Sequence, residues 1–263
     1  MVYYYCNGFE LHFINFMPPR SFVNSFLHVQ PDIKPIPPTF DVYKCDNSIS
    51  ISVNNLIVDQ FQSNNWIAAL LQSSKKHFLQ YNSSEIILFH ASCIMDSDTI
   101  YIFYGKSHSG KSTVGYLLCQ SGMYTFISDE VLMYHTQEST INPSFNPIQL
   151  RTDICQCNIT RDAWNHNDIA LFRPANRLLT PVSIRDYKIM FCNIKYVPSS
   201  NTIVSSQDSS SSLRLLLSSI YNSPQMPISG LSNLLNHTYK SFSIQYNGDI
   251  SELIDQIDHY RRG

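Results

Sequence analysis

The chain is poor in glycine, with 8 among 263 residues, so a glycine-dependent motif arises here by accident less readily than in an average protein. Other absences exclude whole classes of function. The first residues, Met1 to Gly8, lack the basic stretch and long apolar run of a signal peptide. No apolar run approaches the length of a membrane span, so no membrane partner is expected. The net charge is −2 and the isoelectric point about 6.5. With no basic stripe in view, nucleic acid is not expected as a partner either. The seven cysteines are an odd count without framework spacing, and they are expected to be reduced thiols in a cytoplasmic chain. Cys155 and Cys157 form the only close pair, and no further ligands stand at zinc spacing from them. What is present is 43% hydrophobic content. That is enough for one sizeable core, or a core with a small appended lobe.

One stretch carries most of the information. Gly105-Lys106-Ser107-His108-Ser109-Gly110-Lys111-Ser112 fits G-x-x-x-x-G-K-[ST], the loop that wraps nucleotide phosphates. Roughly 1 chain in 100 of this length would carry it by chance at average residue usage. Gly105 and Gly110 let the backbone bend without a Cβ in the way, so successive N–H groups turn inward toward phosphate oxygens. Ser107, Ser109 and Thr113 belong to the same cradle. Lys111 brings a compact positive charge to the β- and γ-phosphates, and Ser112 offers a hydroxyl to Mg²⁺. The context agrees. Residues 99–104 read as a strand, and residues 113–121 read as a helix stopped by Gly122 at its C′ position.

Residues 1–82 are expected to form a β-rich N-terminal region with one helix. Two stretches, 9–13 and 48–53, alternate with period two, and Pro18, Pro19, Pro31, Pro35, Pro37 and Pro38 mark loops between them. A helix follows Asn64 or Asn65, with Ile67, Leu70, Leu71, Phe78 and Leu79 on one stripe. Residues 83–263 are expected to hold the nucleotide site. Residues 86–95 read as one apolar strand, which turns at Asp96 to Asp98 and returns as 99–104, a hairpin feeding the glycine loop. Residues 124–128 read as a strand that continues through 131–134, followed by a loop to about residue 149. Further on, 188–196 reads as a strand and 199–212 as a serine-rich surface loop. Residues 213–220 read as a serine-capped helix, 241–246 as a strand and 250–260 as a closing amphipathic helix.

Asp129 stands 18 positions after Lys111, at the end of the next strand. The two strand ends face the same side, so its carboxylate lies near the mouth of the loop, where it can hold Mg²⁺ or accept a proton from an attacking hydroxyl. Glu130 shares the place. Neighbours on a strand point to opposite faces, which favours Asp129 as the one that faces the nucleotide. A lone Asp-Glu pair is ordinarily a solvated turn; the preceding loop is what gives this pair a chemical reading. His90 lies on the strand before the hairpin. A lone histidine in such a strand is ordinarily a packed core residue, yet the hairpin brings it close to the loop, where imidazole can steer a nucleophile or donate to a phosphoryl oxygen. Arg151 suits charge stabilisation in phosphoryl transfer, with Arg173 and Arg177 as further choices.

His90-Ala91-Ser92, the hairpin, the glycine loop, Gly122 and Ser128-Asp129-Glu130 together resemble the catalytic core of the HPr kinase/phosphorylase superfamily. The resemblance covers residues 85–135 well and extends loosely to the C-terminus. It implies an α/β fold of the α+β type: a mixed-sheet core like the HPr kinase C-terminal domain and phosphoenolpyruvate carboxykinase, with a phosphate loop and a small β-rich N-terminal segment. It implies ATP and Mg²⁺ as cofactors, Asp129 as the acid that takes a serine proton, and His90 beside the phosphates. It also implies symmetric homo-oligomers. Departures are clear: the Glu-[Ile/Val]-Arg-Gly signature and the dedicated N-terminal domain of the bacterial HPr kinases are missing, and Thr113 stands where they carry Glu. In architecture the chain is similar to compact members beside peptide natural-product clusters, some of which phosphorylate the C-terminal serine of lasso-peptide precursors. The expected activity is therefore a kinase acting on a serine of a peptide or protein. Two other readings keep the same loop: a kinase for small-molecule hydroxyls, and a nucleotide-dependent switch. The switch is disfavoured by the lack of an Asn-Lys-x-Asp motif and of a glutamine placed to orient water.

Overall fold

The computed structural model describes residues 2–5, 9–18, 38–62, 66–82, 84–144, 148–151, 169–172, 176–178, 180–198, 200–221 and 227–262. Its N-terminal part is a five-stranded sheet. The strands β1 (Val2–Tyr5), β2 (Phe9–Ile14), β3 (Phe40–Cys45), β4 (Ser48–Val53) and β5 (Leu56–Gln62) lie in chain order. Only β2 and β3 pair in parallel. The β4–β5 turn holds Asn54 at φ 52° and Asn55 at φ 63°, the two left-handed residues that a tight I′ hairpin turn requires and that asparagine tolerates. Helix α1 (Trp66–Tyr81) follows.

Two further sheets carry the rest. The four-stranded sheet joins β6 (Ile86–Phe89), β10 (Leu132–His135), β11 (Thr140–Asn142) and β14 (Val182–Ser183), in the order β14-β11-β10-β6. The six-stranded sheet joins β7 (Ser92–Met95), β8 (Thr99–Tyr104), β9 (Thr125–Ser128), β15 (Lys188–Tyr196), β16 (Ile203–Ser206) and β17 (Thr238–Tyr246). Its order is β16-β17-β15-β8-β7-β9. It is mixed: β15 runs parallel to both β8 and β17, and β7 runs antiparallel to β8 and β9. The α/β class with mixed sheets is therefore observed. A small ribbon of β12 (Ile148–Arg151) and β13 (Ile169–Phe172) lies apart. Four more α-helices, α2 (Lys111–Gln120), α3 (Ser209–Ser218), α4 (Ile228–Asn236) and α5 (Ile250–Arg262), and a short 3-10 helix (Ile184–Asp186) complete the described fold.

Side-chain alternation builds the layers. Along β8, Tyr101 and Phe103 point to the core shared with Val114 and Leu118 of α2 and Leu253 and Ile257 of α5. Ile100, Ile102 and Tyr104 point the other way, onto Phe89, Leu132 and Tyr134 of the four-stranded sheet. A strand buried on both faces reads as a continuous apolar run rather than a polar/apolar alternation. Likewise Ile86, Leu88 and Met133 face the N-terminal sheet and α1, packing with Leu11, Phe13, Phe40 and Phe78. Each such fully buried side chain contributes about 1.5–3 kcal/mol by removal from water. Helix α2 sits close on β7 because Gly115 faces it: a Cβ there would stand 2.4 Å from Ser92 Oγ.

Several expectations are corrected. Residues 86–95 form two strands in two different sheets, not one. Residues 124–134 also split, because the left-handed Glu130 (φ 67°) breaks the extended backbone between β9 and β10. The stretch up to residue 149 is not one loop, since it contains β11 and the start of β12. The serine-rich segment holds β16, which gains a ladder with β17, and the first turn of α3. That helix is capped by Asp208, whose carboxylate accepts the Ser211 N–H at 2.9 Å, and not by serine. Residues 227–236, for which no element was expected, carry α4; its Gly230 packs on Thr136, 2.2 Å from where a Cβ would stand. Cys155, Cys157 and Arg173 lie outside the described residues, as do Pro19, Pro31, Pro35 and Pro37. Among the described residues no helix is long and apolar enough to cross a membrane.

Candidate functional site

The hairpin β7–β8 ends in the glycine loop. Its backbone leaves the ordinary regions three times, at Gly105 (φ 145°), His108 (φ 63°) and Gly110 (φ 94°). Two of those positions admit nothing larger than glycine. A Cβ at Gly105 would lie 2.8 Å from the Ile194 carbonyl, and one at Gly110 would lie 2.3 Å from Tyr246 Oη. The ends of β15 and β17 therefore press the loop from below. Tyr196 N–H donates to Ser109 O at 3.0 Å, and Tyr246 Oη donates to Gly110 O at 3.3 Å. Burial pushes the Tyr246 phenol above its ordinary value, opposed by a hydrogen bond with Thr113. Sequence reasoning missed this support; the one signal for it was an aromatic residue ending the predicted strand 241–246.

Gly110 also ends the loop as the residue before α2, and it offers no capping side chain. A helix leaves its first N–H groups without intrahelical partners, and with no side chain to occupy them they suit an anion. Ser107 and His108 are exposed, Ser109 and Ser112 half-buried, and Thr113 buried. Lys111 is only 6% exposed. Its ammonium donates back to two loop carbonyls, Gly105 O at 3.2 Å and Lys106 O at 3.1 Å. Burial lowers its pKa, and the nearby charges of Glu130 and then Asp129 oppose that shift. Both carboxylates are thus within electrostatic reach of the loop lysine.

The topology explains why. Strand β7 lies between β8 and β9, antiparallel to each, so β8 and β9 end on the same side. The loop leaves one end and Asp129 follows the other. In the same place the chain crosses between sheets twice, through His90-Ala91 from β6 to β7 and through Asp129-Glu130-Val131 from β9 to β10. The partners of the two crossings are matched, since β6 pairs β10 and β7 pairs β9. At the second crossing Val131 N–H donates to Asp129 O at 2.7 Å. With Glu130 at positive φ, this is the rare and strained form of γ-turn. The expectation that Asp129 and Glu130 share a strand and point to opposite faces is corrected accordingly.

Asp129 is 1% exposed, whereas the Glu130 side chain is 43% exposed. His90 Nε2 stands 3.3 Å from Glu130 Oε2. His90 is therefore half-buried, with its Nε2 facing a carboxylate oxygen, rather than a packed core residue. Tyr221, which sequence reasoning did not single out, donates to Glu130 O at 3.2 Å and to Oε1 at 3.0 Å. It lies 91 positions away in the chain, too far for any local pattern to link them. Arg151 ends β12, whose Ile148 and Leu150 join the core under α2; its side chain is outside the described residues. Arg177 bridges to Phe126 beside β9.

No protein-family model matches the sequence, and no curated protein matches it. Among solved structures, the chain is similar to the Hpr(Ser) kinase/phosphatase from Coxiella burnetii. That match has 10% identity and a TM-score of 0.31, over 66% of this chain and 90% of that chain. A match at that score supplies no residue equivalences.

Proposed function

We propose that the protein is an ATP- and Mg²⁺-dependent kinase that transfers the γ-phosphate to a serine hydroxyl of a peptide or protein. The acceptor suggested by the family resemblance is the C-terminal serine of a lasso-peptide precursor. The observation that carries this reading is the bent, glycine-dependent loop that buries Lys111 at the end of β8, with buried Asp129 following β9 on the same side of the sheet. The residues fit a triphosphate, because Gly110 leaves the first N–H groups of α2 without a capping side chain and the Lys111 ammonium stands at the same loop. They fit Mg²⁺ as well. Ser112, Asp129 and Glu130 offer oxygen donors only, and among the described residues there is no group of three or more His, Cys, Asp or Glu able to hold a metal alone. Magnesium ordinarily takes one or two carboxylates and completes its shell with phosphates and water.

On this reading Gly105, Ser107, Ser109, Gly110 and Thr113 shape the cradle, and Lys111 balances phosphate charge. Bound Mg²⁺ would neutralise charge on the phosphates. Asp129, buried beside the loop, takes the serine proton. His90, held by Glu130, orients the acceptor. Arg151 stabilises charge on the transferred group. Residues 83–263 form the nucleotide-binding catalytic domain, and residues 1–82 contribute the peptide side. A cytoplasmic location and symmetric assembly belong to the same reading.

The test is incubation with MgATP and a peptide ending in serine, read by mass spectrometry for phosphoserine. Free serine and small alcohols serve as competing acceptors. Phosphopeptide formation is the expected result. Exclusive phosphorylation of small alcohols would move the assignment to a small-molecule kinase, and ATP turnover at one rate with or without acceptor would move it to a switch.

A further inference from the structure

Resting on the phosphoryl-transfer reading, we propose that Tyr221 is a positioning residue, which sets the Glu130 carboxylate and, through it, the His90 imidazole. Three consecutive residues after α3 grip this corner. Ser219 O accepts the His90 N–H at 2.7 Å, Ile220 bridges to Phe89, and Tyr221 N–H donates to Leu88 O at 3.0 Å. The Tyr221 ring packs against the N-terminal core and lies 6.0 Å from the His90 ring. Its backbone and ring are therefore fixed before its hydroxyl is considered.

That hydroxyl has one hydrogen and two acceptors on the same residue, the Glu130 carbonyl at 3.2 Å and Oε1 at 3.0 Å. The bond to the carbonyl restrains the γ-turn, whose left-handed centre persists only when its surroundings over-determine it. The bond to Oε1 leaves Oε2 for His90 Nε2 at 3.3 Å. Each carboxylate oxygen then has a partner from a different segment, and the plane of the group is set. Tyr221 touches neither nucleotide nor acceptor in this scheme and acts through Glu130.

Tyr221→Phe keeps the ring and removes the hydroxyl. A hydrogen bond to a charged group lost from this chain of contacts is expected to lower kcat for transfer about tenfold or more. Melting temperature and nucleotide affinity are expected to stay near wild type. The ¹⁵N resonances of the His90 imidazole are expected to shift, and Glu130→Gln is expected to shift them too. In the Glu130→Gln background, Tyr221→Phe is expected to add no further loss of kcat. Wild-type kcat with unmoved His90 resonances would overturn the proposal, as would losses that multiply in the double variant, or a fall in melting temperature alone. If the wild-type protein phosphorylates no serine peptide, the kinase reading fails separately. The imidazole resonances then decide the placement of Glu130 and His90 by Tyr221: a shift supports it and none refutes it.

Discussion

The glycine loop and the acid corner beside it are built by opposite means. The loop is one contiguous segment, bent by its own backbone and pressed from below by Ile194 and Tyr246. The corner is assembled from three distant segments, around His90, Glu130 and Tyr221, and is held by side-chain bonds. The loop's shape depends on the absence of side chains, while the corner's depends on their presence. Substitutions in the first are therefore expected to act through steric intrusion on nucleotide binding, and substitutions in the second through lost bonds on the chemical step.

The largest expected effect lies in the corner. Asp129→Asn keeps the shape of the buried side chain but removes the proposed base, so phosphoryl transfer should fall by about 10²- to 10⁴-fold while nucleotide binding persists. Transfer and binding lost together, measured by peptide phosphorylation and calorimetry, would erase the distinction between the two regions. Next comes the loop. Gly110→Ala forces a residue with a Cβ to φ 94°, with that Cβ 2.3 Å from Tyr246 Oη. Strain of about 1–3 kcal/mol should weaken nucleotide affinity roughly tenfold, leaving the His90 imidazole signals in place. Unchanged affinity would show that the loop tolerates intrusion.

Gly115→Ala tests the seat of the loop helix. The new methyl meets Ser92 Oγ, and overpacking of about 1–3 kcal/mol exceeds the gain of about 1 kcal/mol in helix propensity. A small net loss of stability, read by denaturant titration, is expected. The smallest effect belongs to Asp208, remote from both regions. Hydrogen bonds from Ser210 and Ser211 hold its carboxylate below the usual range. A depressed carboxylate stabilises the fold fully above its unfolded pKa and loses that contribution as pH falls toward the folded value. Asp208→Ala should therefore lower the melting temperature modestly at neutral pH, with the difference from wild type narrowing in acid and kcat unchanged.

The same contrast explains what the sequence revealed. The loop, β8 before it and α2 with left-handed Gly122 after it are local features, and spacing alone located them. The two sheet crossings were hidden because Ile86–Phe89 and Ser92–Met95 are buried on both faces, so the apolar run shows no seam at His90. The turn at Glu130 was hidden because a non-glycine residue occupies a position of positive φ. Helix α4 escaped notice because Gly230 and its Ser and Asn neighbours have low helix propensity, and packing on Thr136 supplies what propensity lacks. Tyr221 reaches Glu130 across 91 positions, and only the folded chain brings them together.

The most direct measurement is a crystal structure with Mg²⁺ and a non-hydrolysable ATP analogue. The account predicts the triphosphate in the Gly105 to Gly110 loop, with its terminal phosphorus between the Lys111 ammonium and the Asp129 carboxylate. A nucleotide bound elsewhere, or one in the loop with Asp129 further away than a single bridging water spans, would contradict it.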